Sequence, residues 1–313
     1  MADYKYFSRD YWKERRRARK AAEAERKAKE KPLDTLWSWI KTGVGAIVIV
    51  MIINGLAIAS FVVPTGSMEN TVLTGDFLFV NKFVYGPSTP QVIPFLNIPL
   101  PFYKFPGPED PEKGDVIVFI FPGNRDEVKS PEFMYYLKRC VATAGDTLQI
   151  INKKVFVNGK SFPLPPQGRE EPGIASAEDS WITFPAGRGF TRDNYGPIRI
   201  PKKGDIITLA PSNFNEWAIF IAREGHKVST DGVKMFIDDK PADKYTVTHD
   251  YCFGMGDNRD HSADSRYWGF IPYENVVGSP IVVYWSWDTN QPFANLGDKL
   301  KSIRWGRIGT IIN

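Results

Sequence analysis

The sequence predicts a mostly β fold: an antiparallel β-sheet domain with an inserted β subdomain, carried on one N-terminal transmembrane helix. Three observations lead to this prediction. An uncharged run near the N-terminus is long enough to cross a bilayer, whereas every later apolar run is shorter than ten residues. The dipeptide Gly-Asp occurs six times, and four of its copies precede runs of β-branched and aromatic residues. An Asn-Gly pair, which favours a two-residue hairpin turn, separates two more such runs.

The positive charge of the chain is concentrated at its N-terminus. Residues 1–41 contain 13 Lys or Arg and 7 Asp or Glu, whereas the whole chain of 313 residues has a net charge of only +4. The rest of the chain is therefore slightly acidic. This argues against a nucleic-acid-binding protein, because such proteins need a basic surface to contact phosphates. The hydrophobic content of 42% is ordinary for a globular protein with a core.

The predicted transmembrane helix covers residues 42–63. Val44–Val63 is a run of 20 almost entirely apolar residues, and ~20 helical residues cross a ~30 Å hydrocarbon core. A cleaved signal peptide is the alternative, because Ala57-Ile58-Ala59 follows the apolar residues as a cleavage site would. The long basic arm before the run and the apolar residues that continue after Ala59 favour a retained anchor.

The basic arm predicts the orientation of the chain. Segments rich in Lys and Arg beside a membrane span remain in the cytoplasm. We therefore expect a single-pass protein of the cell inner (cytoplasmic) membrane, with residues 1–41 as a basic cytoplasmic arm and the folded body on the outer, periplasmic or extracellular, side. Ala, Glu, Lys and Arg dominate the arm, which favours a solvated helix, and membrane lipid is an expected partner.

The body of the chain is predicted to fold in two parts. Residues 64–155 and 246–313 form the main β domain, and residues 156–245 form the inserted β subdomain, because a Pro- and Gly-rich segment interrupts the strand pattern there. Two hairpins are expected, with turns at Asn158-Gly159 and at Asp238-Asp239.

Three clusters contain the candidate reactive residues. Ser67 lies on a short turn directly after the apolar run. Lys138 and Arg139 lie on a predicted strand of apolar and aromatic residues, and strand alternation sends them to opposite faces, so one of the two cations must face the interior or a cleft. The third cluster, Gly254–Phe270, holds five charges, two Ser and a His within ten residues. The spacing of its Asp residues does not fit a calcium loop, so it predicts a buried polar network.

In this order after an N-terminal apolar run, the three clusters resemble those of bacterial type I signal peptidase, or leader peptidase, a family of Ser-Lys dyad serine proteases. The resemblance covers about residues 55–308, and the third cluster is its most specific part. It implies a membrane-anchored serine endopeptidase that removes N-terminal signal peptides from exported preproteins. It also implies cleavage after small residues at positions −1 and −3, through an acyl-enzyme intermediate, with preprotein signal peptides as partners.

The resemblance also implies roles for individual residues. Ser67 is the expected nucleophile and Lys138 the expected general base. Ser262 would orient the Lys138 amine. Thr65, through its hydroxyl, and Ser67, through its backbone N–H, would form the oxyanion hole.

An ion pair between Asp264 and Arg266 would hold the loop of the third cluster, again by resemblance. The chain departs from the commoner family pattern at three positions. Asn70 stands where Pro is usual, and Ala142 and Ala144 stand where Gly and Pro are usual. These departures affect the expected loop geometry and pocket shape rather than the dyad.

The proposed chemistry depends on a neutral lysine. A serine hydroxyl is a weak nucleophile until a neighbouring base removes its proton. Lys138 can act as that base only if its pKa falls from about 10.4 towards 7–8, and its apolar neighbours predict the necessary desolvation. The mechanistic alternative is a triad of Ser67, His261 and an Asp. One further alternative is an inactive membrane-anchored β-domain that binds peptides or scaffolds a complex. Another is a self-cleaving repressor with a Ser-Lys dyad, although no helix-turn-helix precedes the body.

The substrate is expected to bind extended, so that its −1 and −3 side chains share one face. Bulky apolar side chains that flank the dyad in the sequence would then form pockets for small residues. These pocket residues are Val63, Met68, Tyr136 and Leu137. Three tryptophans are candidates for the membrane interface or, alternatively, for the core: Trp285, Trp287 and Trp305.

The two cysteines do not predict a disulfide scaffold. Cys140 and Cys252 are interpreted as two separate buried thiols, and a single long-range disulfide is the alternative in an oxidising compartment. The chain has no CxxC motif and only three His, so the sequence predicts neither a metal site nor a cofactor.

Overall fold

The computed structural model describes residues 9–29, 32–89, 92–93, 98–99, 103–175, 182–291 and 296–312. The chain divides into two compact units, Met1–Met51 and Ile52–Asn313. Helix α1, Arg9–Lys29, lies in the first unit, and helix α2, Pro32–Leu56, begins there. Within α2, Thr35–Ile53 is 19 residues long and apolar enough to cross a membrane, and none of its side chains is buried. At 1.5 Å per residue this segment is ~28 Å long, close to the thickness of a bilayer core.

The apolar run does not form one continuous helix. The expected helix over residues 42–63 is wrong at both ends, because α2 begins at Pro32 and ends at Leu56. Ile58–Val62 instead forms strand β1, which pairs with the next strand in register from Ile58–Asn81 to Val62–Phe77. Hydropathy does not separate helix from strand within a continuous apolar run, and the backbone pairing decides between them.

The second unit is built around one antiparallel sheet of seven strands. Its order is β1-β2-β18-β5-β6-β16-β17, and every neighbouring pair is antiparallel. After β1, these strands are Asp76–Asn81 (β2), Val276–Ser286 (β18), Val116–Ile120 (β5), Tyr135–Ala142 (β6), Tyr251–Met255 (β16) and Ile271–Pro272 (β17). The sheet thus joins strands from both ends of the unit. The mostly β, antiparallel fold class is confirmed.

Four smaller sheets, three further α-helices and several short 3-10 helices complete the described part of the chain. The four-stranded sheet, in the order β10-β7-β8-β9, contains Tyr195–Arg199, Thr147–Ile151, Lys154–Val157 and Lys160–Phe162. The others are β11 (Ile206–Thr208) with β15 (Lys244–Thr246); β12 (Val228–Thr230), β13 (Met235–Ile237) and β14 (Lys240–Ala242); and β3 (Val92–Ile93) with β4 (Ile98–Pro99). The further α-helices are α3 (Phe214–Arg223), α4 (Ser265–Trp268) and α5 (Leu296–Lys301).

The strands do not divide at the expected boundary between residues 155 and 156. That boundary falls inside β8, and β8 pairs with β7 and β9 in one sheet. The predicted insertion was expected to be purely β, but it also contains helix α3. Phe220 and Ile221 of this helix are buried. The apolar residues of α3 resemble a strand in composition, and their burial along one helical face is visible only in three dimensions. The division of the body into two subdomains stays a prediction.

Both predicted hairpins are present. Val157 pairs with Lys160 across the Asn158-Gly159 turn, and Ile237 pairs with Lys240 across the Asp238-Asp239 turn. All four turn residues have positive φ, between 50° and 75°. This conformation suits the twist of two-residue hairpin turns and is tolerated best by Gly, Asn and Asp.

Four Gly-Asp dipeptides form the same turn before a strand. In each, the aspartate N–H donates to the carbonyl three residues earlier, and the aspartate carboxylate accepts from the N–H of that same residue. The glycine has φ between +88° and +104° in all four. Strand β2 begins at the aspartate of its turn, Asp76, and β5, β7 and β11 begin at the residue after it, Val116, Thr147 and Ile206. The turn therefore fixes where each strand starts.

Candidate active site

Ser67 lies on the turn that follows β1. The N–H of Glu69 donates to the Gly66 carbonyl (3.0 Å), which closes the turn around the serine. We call residues 66–69 the nucleophile turn. Met68 is 1% exposed, and its Sδ accepts a hydrogen bond from the backbone N–H of Asp257 (3.3 Å). This buried side chain holds the turn against the third sequence cluster.

Lys138 approaches the serine from β6, an interior strand of the large sheet. It lies opposite Ile117 of β5 and is only 4% exposed. Gly254 of β16 lies against its other side, where a Cβ would approach to 3.1 Å from the Lys138 Cβ. The glycine thus leaves room for the lysine side chain between the strands.

Lys138 and Ser67 form a hydrogen-bonded pair. The lysine Nζ donates to the serine Oγ (2.8 Å) and to the Leu137 carbonyl (3.0 Å). Burial lowers the pKa of Lys138 from 10.5 to about 8; the Asp264 carboxylate opposes this shift and the Arg266 guanidinium adds to it. A lysine with this pKa is neutral in about a tenth of the molecules at pH 7. The pair therefore places an available base on the serine hydroxyl.

Lys138 and Arg139, the two neighbouring cations on β6, are both buried, whereas strand alternation required only one of them to face the interior or a cleft. Arg139 is 5% exposed and makes a bidentate ion pair with Asp257 (2.9 and 2.8 Å). Thr71, just after the nucleophile turn, also donates to this carboxylate (2.5 Å). A full partner set stabilises the buried charge of Arg139, whereas the Lys138 ammonium has no direct carboxylate partner among the described hydrogen bonds and ion pairs.

Asp264 and Arg266 form a buried ion pair behind the dyad. Their side chains are 0% and 3% exposed, and the two Nε/Nη–Oδ contacts measure 2.8 and 2.9 Å. The Asp264 carboxylate also accepts from the Gly256 N–H (3.1 Å), while Arg266 donates to the Arg259 carbonyl (2.6 Å). The pair thus connects both ends of the loop between β16 and α4.

Ser262 does not form the expected hydrogen bond with Lys138. Its hydroxyl is buried and has no partner among the described residues. Gly256 lies between Ser262 and the nucleophile turn, because a Cβ on it would come within 2.2 Å of the Ser262 Oγ and 2.5 Å of the Ser67 carbonyl oxygen. The lysine Nζ instead donates to the Leu137 carbonyl.

A cavity of 290 Å³ opens beside the dyad. All four expected pocket residues line it: Val63, Met68, Tyr136 and Leu137. Thr65, Ser67 and Lys138 line it as well. Sequence reasoning missed Phe61 and Val62, because it assigned them to the transmembrane helix, and also missed Leu78, Val118 and Tyr135, which other strands bring to the cavity.

His261 lies at the edge of the same cavity and is directed to another partner. Its Nε2 lies 2.8 Å from a carboxylate oxygen of Glu171, and the side chain is 58% exposed. The hydrogen bond on the Ser67 hydroxyl comes from Lys138. The geometry therefore offers the serine a lysine as its base.

Two further groups around the nucleophile escaped the sequence reasoning. Asn258 contacts the nucleophile turn directly, because its backbone N–H donates a hydrogen bond to the Ser67 carbonyl (3.1 Å). Arg169 bonds to the backbone of Asp257 and Arg259 through its own backbone. The polar third cluster drew attention to Asn258 without assigning it a role, whereas Arg169 lies in an irregular segment that carries no sequence signal.

The two cysteines are both buried and form no disulfide, as the interpretation as two buried thiols predicts, and they lie on neighbouring strands. Cys140 on β6 and Cys252 on β16 are both fully buried and free. The hydrogen bond between their side chains, together with burial, holds the pKa of Cys140 well above its usual range. In the described part of the chain, no group of three or more His, Cys, Asp or Glu side chains is arranged to hold a metal ion.

Comparison with known proteins identifies relatives along most of the chain. Residues 36–285 match the family described as signal peptidase, peptidase S26. The signal peptidase I of Helicobacter pylori strain J99 is 29% identical over 290 residues, which cover 88% of this chain and 93% of that protein. Signal peptidase I of Aquifex aeolicus is 29% identical over 252 residues (77% and 80% covered), and that of Rickettsia typhi is 30% identical over 278 residues (84% and 88% covered).

Proposed function

The chain belongs to the signal peptidase, peptidase S26, family and is a serine-type peptidase that removes signal peptides; from this premise we propose that Ser67 and Lys138 form its catalytic dyad. The single observation that carries the proposal is the 2.8 Å contact between the Nζ of the buried Lys138 and the Oγ of the partly buried Ser67. The lowered pKa of Lys138, about 8, supports its role as general base.

The dyad cleaves in two steps. Neutral Lys138 accepts the hydroxyl proton of Ser67 while the Oγ attacks the scissile carbonyl carbon. The lysine ammonium then gives this proton to the leaving amine, the C–N bond breaks and an acyl ester on Ser67 remains. Neutral Lys138 next deprotonates a water that attacks the ester, and the proton passes to the Ser67 Oγ as the signal peptide leaves with a new carboxylate.

Three groups support the dyad in this proposal. The Ser67 N–H and the Thr65 hydroxyl hold the oxyanion of the tetrahedral intermediate. The ion pair of Asp264 and Arg266 fixes the loop that carries Ser262. Ser262 remains the residue proposed to orient the amine, because its buried hydroxyl has no partner among the described residues and can accept from Lys138 once the serine has been acylated and no longer holds the amine.

The cavity beside the dyad selects small side chains at −1 and −3. An extended substrate directs these two side chains to one face, and the apolar walls formed by Val63, Met68 and Leu137 limit the space there. We expect cleavage after Ala-x-Ala sequences. A preprotein with Leu at −1 should be cut at less than about a hundredth of the rate, as measured by mass spectrometry of the products. Efficient cleavage after Leu would contradict this pocket assignment.

A single-pass anchor would keep the enzyme in the membrane with its substrates. The apolar helix Thr35–Ile53 and the basic arm before it support an N-terminus in the cytoplasm and a body on the outer side. Trp285, Trp287 and Trp305 form one aromatic cluster, with ring centroids 5.8 and 6.0 Å apart, and Trp305 is 68% exposed. Such a cluster suits the interface between lipid and water.

Cleavage of a preprotein in detergent by the purified full chain tests the dyad. Ser67→Ala and Lys138→Ala should each abolish cleavage. Lys138→Arg should be equally inactive, because an arginine stays protonated. His261→Ala should keep most of the activity and serves as the matched control at the edge of the same cavity. The opposite ranking, with His261 essential and Lys138 dispensable, would establish a Ser-His mechanism instead.

A further inference from the structure

Asn258 holds the nucleophile turn with both its backbone and its side chain. The residue is 3% exposed. Its N–H donates to the Ser67 carbonyl (3.1 Å), and its Nδ2 donates to the Gly66 carbonyl (3.1 Å) and to a carboxylate oxygen of Glu69 (3.2 Å). The carbonyls on both sides of the serine are therefore bound by one residue.

The bond to the Gly66 carbonyl also controls the Ser67 N–H. These two groups belong to one planar trans peptide, so they point in opposite directions from the same rigid plane. Any contact that fixes the direction of the carbonyl fixes the direction of the N–H. A hydrogen bond on the carbonyl oxygen also polarises the peptide and makes its N–H a stronger donor. The Asn258 amide thus orients and strengthens the Ser67 N–H, the donor that stabilises the developing negative charge on the substrate oxygen.

Fold stability alone does not explain an asparagine at this position. Its Oδ1 is buried and has no hydrogen-bond partner among the described residues. A buried acceptor without a partner destabilises the folded protein relative to an apolar side chain of similar size. With the amide reversed, its oxygen would face the Gly66 carbonyl oxygen and the Glu69 carboxylate. The side chain therefore tolerates an unpartnered oxygen while its Nδ2 donates to the nucleophile turn.

A residue of the insertion, Arg169, supports the backbone around Asn258. The Arg169 N–H donates to the Asp257 carbonyl (2.8 Å), and the Arg259 N–H donates to the Arg169 carbonyl (2.9 Å), so Arg169 pairs with the strand segment around Asn258. We call residues 168–171 the strap. Asp260 anchors it, because its carboxylate accepts from the Glu171 N–H (2.7 Å).

We propose that Asn258 is a positioning residue that aims the Ser67 N–H at the oxyanion, and that the strap of the insertion braces it. This inference rests on the proposed dyad mechanism, in which that N–H is an oxyanion donor. The role of Asn258 is specific to the transition state, because the substrate carbonyl becomes a full oxyanion only there.

Kinetics of Asn258→Ala and Asn258→Asp in the full chain test the proposal, with Glu69→Ala as the matched control that removes the other acceptor of Nδ2. Both Asn258 variants should lose about 10- to 100-fold in kcat, with KM changed less than about twofold, because losing an oxyanion donor entirely costs ~10²–10³. A peptide aldehyde, which forms a hemiacetal with Ser67, should lose affinity in parallel with kcat/KM. Glu69→Ala should keep the wild-type kcat.

The pH profile separates this role from general loosening of the site. Lys138 is untouched in Asn258→Ala, so the midpoint of its pH–kcat/KM curve should equal that of the wild type. Melting temperatures and titration of the reactive serine correct the rates for any unfolded fraction. An unchanged kcat, or a loss confined to KM, would overturn the inference while leaving the dyad intact. If instead Ser67→Ala cleaved like the wild type, the proposed mechanism itself would have failed.

Discussion

At the scale of single residues, the burial of Lys138 lowers the stability of the protein and supports the proposed role of this lysine as a base. Its pKa is 10.5 when unperturbed and about 8 in the folded protein. A shift of this size corresponds to about 3 kcal/mol of unfolding free energy, at ~1.4 kcal/mol per pH unit. The folded state binds the proton less tightly than the unfolded state does. The cost is therefore complete below pH 8 and disappears as the pH rises towards 10.5.

Replacing this lysine should stabilise the fold while abolishing activity. Lys138→Met keeps the length of the side chain and removes the buried charge. We expect its melting temperature to exceed that of the wild type at pH 6, by an amount that shrinks at pH 9 as the wild-type lysine loses its proton. Thermal unfolding of both proteins in the same detergent measures this difference. A variant less stable than the wild type at pH 6 would contradict the burial cost.

The residues of the site were predictable only in part. The resemblance to a known family indicated Ser67 and Lys138, and the apolar strand around the lysine predicted its desolvation. The sequence did not indicate that Arg139 is also buried, because its partner Asp257 is distant in the chain. Nor did it predict the environment of Ser262, which depends on the close approach of Gly256. Contacts of this kind follow from strand pairing, and no local pattern encodes them.

At the scale of elements, the repeated Gly-Asp turn imposes different steric demands at different sites. Gly75 has φ +90°, and a Cβ there would lie 2.0 Å from the Trp287 carbonyl oxygen. Gly114 occupies the same position in an equivalent turn, with φ +104°, and a Cβ there would meet nothing within 4 Å. The first glycine is required by backbone packing as well as by conformation, and the second by conformation alone.

This contrast gives a matched pair of substitutions. Gly114→Ala should lose about 1 kcal/mol of unfolding free energy, because only backbone strain opposes it. Gly75→Ala should lose about 3 kcal/mol or more, because β2 and β18 must also move apart. Denaturant unfolding of the two full-length variants measures both values. Equal losses at the two sites would show that the packing against Trp287 is not decisive.

The elements themselves were predicted best where turns define them. The Asn-Gly and Asp-Asp hairpins and the four Gly-Asp strand starts follow from local backbone preferences. The end of α2 at Leu56 did not follow, because Ile58–Val62 is apolar enough for either helix or strand. Its pairing with β2 decides the conformation, and that pairing is not visible in hydropathy.

At the scale of the whole molecule, a retained anchor is central to the proposed function. The apolar helix and the Ala57-Ile58-Ala59 sequence after it resemble a cleavable signal peptide, and β1 begins within this sequence. Cleavage after Ala59 would remove the first residue pairs of β1 with β2. We expect the protein purified from membranes to retain the residues before Ser60. Its intact mass measures this directly, and a mass corresponding to a chain that starts at Ser60 would contradict the anchor.

The most direct test of Lys138 as the general base is the pH dependence of kcat/KM. Only neutral Lys138 can accept the Ser67 proton, so the rate should rise about tenfold per pH unit below the folded pKa and level off above about 8. A slowly cleaved peptide substrate keeps the chemical step rate-limiting. A rise with a midpoint near 8 is the predicted result. A profile that stays flat from pH 5 to 9 would contradict the assignment of Lys138 as the general base.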